Sequence, residues 1–456
     1  MMKDDNTLHT DRQAVPLYKR VQNLIIEKVN NGILKPGDAL PSSREMALQL
    51  EVSRKTVVKA LDLLVARGVL TSKDRVGIFV ATTHVASTKD IPTASVSDIV
   101  VNDGFPDTSL IPFREYTRTY RQIFNRQSKW QRLVTNDTKG YIGLRQAICE
   151  VLGRLVALPI SADEICIVNG SQMGMYLVAN AVLSPGDDVV METPGYPLLR
   201  KTLETARLNV HHIPVDADGL DVDRLETLCQ QADIKVVWTT PRFQYPTTVT
   251  LSMQRRKKLC ELSMKYGFII VEDDFGFVYN FSKKYFRTVS SMLPKSHYIY
   301  IGNFSKVFTP SARLGYIVAS REVTDAIADY RMLIDLHGDT VIEKSIYEIY
   351  YNGLLQRHMR NSVKVYKDRL REVSREIRHI LGDKVIYRKP HGGLAIWIAF
   401  TSTSVTEPLL RDHLAANHVT APVFTLPDGT VGIRIGFVSI SHDNLVRFLE
   451  ILALLP

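Results

Sequence analysis

Lys306 lies in a loop between two apolar, β-rich runs, residues 298–301 and 314–318. An ammonium beside buried strands is costly to desolvate. Such a lysine escapes to solvent, pairs with an acid, or reacts with a carbonyl as a Schiff base. Asn303, Ser305 and Arg313 stand close by in sequence and offer an anion the hydrogen bonds and positive charge that a phosphate-bearing cofactor needs. Upstream, Glu272, Asp273 and Asp274 follow the apolar run 268–271. Carboxylates at a buried strand end are unfavourable unless they meet a cation. They form either a surface or N-cap acid cluster or a site in which a buried carboxylate meets a cation. Arg434 sits inside the strand-like run 432–437, as a core-edge ion pair or as a carboxylate clamp. Gly170, Ser171 and Gln172 follow the run 165–168 and open a helix. They make a plain strand-to-helix turn or an anion site at a helix N-terminus.

These residues must be carried by a sheet. Runs at 165–168, 189–191, 236–238, 268–271, 298–301 and 314–318 are short, apolar and rich in β-branched residues, and most are separated by helical patterns. That alternation predicts an α/β domain with a largely parallel sheet buried on both faces. Ligands in such sheets bind beyond the carboxyl ends of the strands, where the polar residues named above fall.

The N-terminal part has a different grammar. Leu17, Val21, Leu24, Ile25 and Val29 fall at helical spacing and stop at Asn31-Gly32. Ser42-x-x-Glu45 has the form of a capping box for a second helix. Ser53 caps a third helix, whose inward stripe is Val57, Ala60, Leu61 and Leu64. A hairpin over 69–80 follows. Three helices and a hairpin make a winged helix, which either binds DNA or serves as a small protein-interaction module. In the DNA reading, Arg54, Lys55 and Lys59 lie off the buried stripe, Ser53 or Thr56 holds phosphate, and Arg44 reaches phosphate or the groove. Arg75 and Gly77 fall in the wing. A Thr-, Ser- and Ala-rich connector covers 81–103.

The formal net charge of +9 is a mild hint of a polyanionic partner. No apolar run is long enough to span a membrane, and no secretory signal is evident at the N-terminus. The four cysteines are widely spaced, with no Cys/His cluster, which suits a reducing cytoplasm and argues against a zinc site. Cys229 is expected to be the semi-exposed one.

Residues 32–47 and 52–57 resemble the GntR-type winged helix almost position for position. In that family the positions matching Arg44, Arg54, Thr56 and Gly77 touch DNA. The stretch from Ser305-Lys306 to Arg313-Leu-Gly-Tyr316 resembles the lysine motif of fold-type I, pyridoxal-phosphate (PLP) dependent aminotransferases. This resemblance implies a Schiff base at Lys306, Asp273 at the pyridine nitrogen and Tyr196 stacked on the ring. It also implies a cofactor-side loop at Tyr245-Pro-Thr-Thr248, and Arg434 on a substrate α-carboxylate. Together the two halves resemble the MocR/GabR family of bacterial regulators, which implies a homodimer, usually head-to-tail, sensing PLP or an amine or amino acid that reacts with it. The expected organisation is a winged helix-turn-helix domain over 1–80, a connector over 81–103 and an aminotransferase-like domain over 104–456, with its smaller α+β part at 340–456.

The sequence departs from the family at several positions. Phe275 replaces a tyrosine whose hydroxyl would reach the cofactor, Thr248 replaces a loop glycine, Arg242-Phe243 replaces Ser-His, and Asn303 replaces Thr or Ser. These departures favour a regulator that binds PLP and turns over poorly. The alternatives are a working aminotransferase with an accessory DNA-binding domain, and a regulator with a vestigial site.

Overall fold

The computed structural model describes residues 16–66, 68–73, 77–81, 99–126, 137–282, 285–304, 306, 307 and 310–456. The described residues divide into two compact units, one up to residue 81 and one from residue 99.

In the first unit, helices Leu17–Asn30, Ser43–Gln49 and Arg54–Ala66 precede an antiparallel hairpin of Leu70–Lys73 and Gly77–Val80. Ser42 Oγ accepts from the Glu45 amide at 3.3 Å, and Ser53 Oγ from the Thr56 amide at 3.2 Å, so each satisfies a donor that a helix start leaves open. Val57, Ala60, Leu61 and Leu64 are buried against Val21, Ile25 and Val29, at the spacing the sequence predicts. A bridge between Ala39 and Phe79 adds a third strand segment to the wing, one that sequence periodicity does not reveal.

The larger unit holds an eight-stranded sheet. Its order is Ile165–Val168, Gly315–Val318, Tyr298–Asn303, Ile269–Asp273, Ile234–Thr239, Asp188–Thr193, Asn209–Asp216, Gly219–Leu220. Gly315–Val318 runs antiparallel to both neighbours, and the five strands from Tyr298–Asn303 to Asn209–Asp216 are mutually parallel. The pleat sends alternate side chains to two cores. Ile165, Ile167, Tyr298 and Tyr300 pack with helices Ile142–Val156 and Thr340–Tyr351. Cys166, Val168, Ile299 and Ile301 pack instead with helices Ser171–Ala181 and Arg321–Asp335. Burial on both faces is why these strands read as continuous apolar runs. Strand Asn209–Asp216 escapes that reading because its sequence holds two histidines and a proline and sits near the sheet edge.

A four-stranded antiparallel sheet, Val385–Tyr387, Ala395–Phe400, Val431–Gly436 and Val423–Thr425 in that order, packs on helices Leu354–Ile380 and His442–Ala453.

Three sequence-based expectations need correction. Residues 99–103, assigned by composition to the connector, belong to the larger unit: Ile99–Val100 pairs with Val419–Thr420, and Ile99 and Val101 enter the core of the four-stranded sheet. The remainder of the connector, 82–98, lies outside the described residues. The smaller core begins along helix Leu354–Ile380 rather than at Thr340, because Ile346 and Ile349 pack with the large sheet. Cys229 is buried, and Cys149 is the half-buried cysteine.

Leu64 is fully buried at the centre of the first unit. Leu64→Ala is expected to destabilise that unit by about 2–5 kcal/mol, seen as an earlier unfolding transition in chemical denaturation.

Candidate functional site

The carboxyl ends of the parallel strands converge on a cleft of about 330 Å³. It is lined by Lys306, Asp273, Tyr196, Tyr245, Ser171, Gln172, Asn303, Arg313 and Arg434, residues drawn from positions 171 to 434. Gly170 lies at its edge with φ +83°, and a Cβ there would sit 2.7 Å from Arg313 Nη2. The backbone conformation therefore favours glycine, and a Cβ there would also have to push aside the end of the Arg313 side chain. Ser305 lies outside the described residues.

Strand Ile269–Asp273 ends in Glu272 and Asp273 and is followed by Asp274, which makes three successive buried carboxylates. Glu272 accepts from the Val289 amide at 3.2 Å, the Ser290 amide at 2.7 Å and Ser290 Oγ at 2.6 Å. Asp274 is held by the buried Arg242, whose Nε donates at 3.1 Å and whose Nη2 completes a two-pronged ion pair, and by Tyr300 Oη at 2.9 Å. Asp273 differs: its Oδ1 is buried with no hydrogen-bond partner among the described residues. Burial, with the nearby Asp274 and Glu192 charges, pushes its carboxyl up to about 7, and Lys306 opposes that rise. A buried acceptor left open at a cleft wall is a place for a donor that arrives with a ligand.

Lys306 follows strand Tyr298–Asn303. Its Nζ donates to the Gly104 carbonyl at 2.9 Å and lies 4.7 Å from the centre of the Phe105 ring. Burial lowers its pKa to about 8, assisted by Arg434 and opposed by Asp103 and Asp273. A lysine so shifted keeps a sizeable neutral, nucleophilic fraction near neutral pH.

On one side of the cleft, helix Ser171–Ala181 begins at Ser171 with Gly170 as its cap. Asn303 Nδ2 approaches Ser171 Oγ at 3.5 Å, and Arg313 Nη2 donates to the Asn169 carbonyl at 3.3 Å. Helix dipole, amides and guanidinium together favour an anion. On the other side, Arg434 is almost fully buried in strand Val431–Gly436. Its Nε donates to the Asp103 carbonyl and its Nη1 to the Pro246 carbonyl, both at 2.9 Å, and Tyr245 lies under the guanidinium at 4.9 Å. Desolvation lowers its pKa to about 10. Tyr196 and Tyr245 meet edge to face at 5.4 Å.

The loop carrying Tyr245 is held by Gln244. Its Nε2 donates to Glu192 Oε2 at 3.2 Å and to the Pro194 carbonyl at 2.7 Å, and its Oε1 accepts from Thr247 Oγ1 at 2.6 Å. Phe243, Thr248 and Arg313 adopt φ of +59°, +59° and +43°. For a β-branched threonine this conformation is strained, as expected where a glycine would sit freely.

Sequence reasoning missed Asp103, Phe105, Met175 and Leu198 as cleft residues. Asp103 stands just before Gly104 in the stretch that composition assigns to the connector, and nothing local marks it. The pairing of Arg242 with Asp274 spans 32 residues and has no local signature.

In the first unit, Arg44, Ser53, Arg54, Lys55, Lys59 and Gly77 are exposed and Thr56 is half-buried. Arg54 Nε donates to Ser43 Oγ at 3.3 Å, tying the third helix to the second. Ser53 is used as a cap and also bonds Thr56 Oγ1 at 2.8 Å, and Lys59 lies over the Tyr18 ring at 4.3 Å. Arg75 lies outside the described residues. Among the described residues no helix is long and apolar enough to cross a membrane, and no group of acidic, His and Cys side chains is arranged for a metal ion.

The family model described as "Aminotransferase class I and II" matches residues 106–452, and that described as "Bacterial regulatory proteins, gntR family" matches residues 17–80. Aromatic-amino-acid aminotransferase 1 of Thermococcus litoralis is 27% identical over 366 residues, covering 78% of this chain and 88% of its own. The probable rhizopine catabolism regulatory protein MocR of Rhizobium meliloti is 25% identical over 425 residues, covering 88% of this chain and 85% of its own. Among solved structures, Pyrococcus horikoshii kynurenine aminotransferase in complex with PMP superposes with a TM-score of 0.71 at 27% identity, covering 79% of this chain and 90% of that one.

Two outcomes test the site's electrostatics. Arg242→Met leaves Asp274 buried without its cation and is expected to cost about 3–5 kcal/mol in denaturant unfolding of the larger unit. Lys306 is expected to acetylate as a base of pKa about 8 in competitive labelling read by mass spectrometry. Its neutral amine grows as pH rises through that value, well below the roughly 10.4 of an ordinary lysine.

Proposed function

The chain belongs to the aminotransferase class I and II family, which is PLP-dependent, and carries a GntR-type regulatory segment; on that premise we propose that it is a DNA-binding transcriptional regulator that binds PLP and responds to PLP or to an amine or amino acid. The observation that carries the cofactor part is the buried, unpartnered Oδ1 of Asp273 in the same cleft as Lys306. Asp273 Oδ1 would accept a hydrogen bond from a protonated pyridine nitrogen, the donor it lacks among the described residues. The cleft suits the rest of the group as well. Tyr196 offers a ring face, and Ser171, Gln172, Asn303 and Arg313 surround an anion position at a helix N-terminus. Gly170 leaves the room in which Arg313 lies.

When bound, PLP supplies an electrophilic aldehyde for amines and a ring that withdraws electrons. The protein's own residues do the remaining work. Lys306 offers its amine, and its lowered pKa keeps part of it neutral. Asp273 would accept a hydrogen bond from the ring nitrogen and so favour its protonated form. Arg434 takes a ligand carboxylate. Ser305 joins the phosphate group in this assignment. Phe275 lines the cleft without the hydroxyl that would set the cofactor's protonation, and Thr248 occupies a strained backbone position; both favour sensing over turnover.

The first unit is assigned to operator DNA, through the N-terminus of helix Arg54–Ala66 and the residues Arg44, Ser53, Arg54, Lys55, Thr56 and Lys59, with Arg75 and Gly77 in the wing. A ligand shifts DNA binding only if it binds two arrangements of the protein unequally. We take the working form to be a cytoplasmic homodimer, head-to-tail, with residues 1–80 as the DNA-binding domain and the aminotransferase-like domain following the connector. A second reading, a working aminotransferase, is favoured by the presence of Lys306, Asp273 and Arg434 in one cleft.

The test is binding of the purified protein to DNA upstream of its own gene, with and without PLP, alongside absorption spectra of the wild type and Lys306→Ala. The expected result is salt-sensitive, sequence-specific binding that PLP alters, a PLP absorption band lost in Lys306→Ala, and operator affinity weakened by about 1–3 kcal/mol in Arg54→Ala. Repeated turnover with an amino donor and a keto acid, together with no preference for any upstream fragment, would favour the enzyme instead.

A further inference from the structure

Two carboxylates line the cleft, and the assignment above uses only Asp273. Asp103 has no role in it. Its side chain is half-buried and accepts from Tyr245 Oη at 3.5 Å, and it forms no ion pair among the described residues. The two cations nearest in the cleft direct hydrogen-bond donors to backbone carbonyls. Lys306 Nζ donates to the Gly104 carbonyl and Arg434 Nε to the carbonyl of Asp103 itself, each at 2.9 Å.

Asp103 is also rigidly mounted. Asn102 Oδ1 accepts from the amides of Gly104 and Phe105 at 2.9 and 2.8 Å, and the Asn102 carbonyl accepts from the Gly436 amide at 2.7 Å. Gly104 has φ +112°, and a Cβ on it would lie 3.3 Å from Ala395 Cβ. The chain is thus clamped on both sides of Asp103 against strands Val431–Gly436 and Ala395–Phe400. A carboxylate carried on a backbone clamped in this way repels an anionic group and attracts a cationic one, and does so more strongly in a cleft partly shielded from water.

We propose that Asp103 determines the specificity of the ligand site and selects a compound with two amino groups, one engaged at the cofactor and a second, as ammonium, paired with the Asp103 carboxylate. The proposal rests on the PLP-binding reading and deepens it by naming the ligand class. Diamines and diamino acids share this chemistry. They differ in whether a carboxylate is present for Arg434.

The experiment is isothermal titration calorimetry on the full-length, PLP-loaded protein with two matched pairs: L-ornithine against L-norvaline, and 1,4-diaminobutane against butylamine. In each pair the second compound lacks one amino group. At least one doubly aminated compound is expected to bind about tenfold or more tightly than its partner, the scale of a hydrogen bond to a charged group. That ratio is expected to collapse in Asp103→Asn. Ornithine binding more tightly than diaminobutane assigns the ligand to the diamino acids through Arg434, and the reverse order assigns it to the diamines. Equal binding within both pairs in the wild type overturns the proposal without needing the variant, as does a ratio that persists in Asp103→Asn. A protein that holds no PLP band at all instead overturns the underlying cofactor reading, and the proposal with it.

Discussion

Burying three consecutive carboxylates at the end of one strand is the constraint around which the larger unit is arranged. Each removed from water must find compensation or lose its charge. Glu272 finds it in the amides and hydroxyl at Val289 and Ser290, and Asp274 in Arg242 and Tyr300. These partners fix the strand end, and the strand end fixes Asp273. The middle carboxylate is left with an oxygen that nothing in the described protein satisfies. The structure therefore stabilises two acids so that a third can be held, rigid and unpaired, at the wall of a cleft. Such a group is unfavourable for folding on its own and favourable for binding a donor.

The same logic links the cleft to the loop before it. Arg242 belongs to the segment that continues through Gln244 and Tyr245, so the ion pair that steadies Asp274 also anchors this loop. Gln244 ties it to Glu192 and to the turn before Tyr196, and Arg434 grips it through the Pro246 carbonyl. One connected set of hydrogen bonds thus orients the aromatic pair Tyr196–Tyr245, the arginine and the acid. Arg242 and Phe243 stand where the aminotransferase pattern has Ser-His, and Arg242 forms a charge pair with Asp274, the neighbour of Asp273.

Much of this was legible in the residues. The winged helix was legible because its helices are amphipathic and two of them carry serine caps: Ser42 and Ser53 cap where the sequence places them, and Val57, Ala60, Leu61 and Leu64 all turn inward. The parallel sheet was legible because strands buried on both faces must be apolar throughout. Strand Asn209–Asp216 was not, because a strand near the edge tolerates histidine and proline.

By itself the sequence determined which chemical groups the protein owns and which local segments carry them: Lys306 after one apolar run, Asp273 at the end of another, Arg434 within a third, and a capped helix rich in basic residues near the N-terminus. Local propensity and periodicity act over a few residues, and these features are all local. Only the tertiary structure decided that Asp273 Oδ1 has no hydrogen-bond partner among the described residues while Glu272 and Asp274 have theirs, that Arg242 belongs to Asp274, and that Asp103 is a wall of the cleft and not part of a connector. Those facts depend on pairing across tens to hundreds of residues, and they exist only once the strands are in register and the chain has closed around the site.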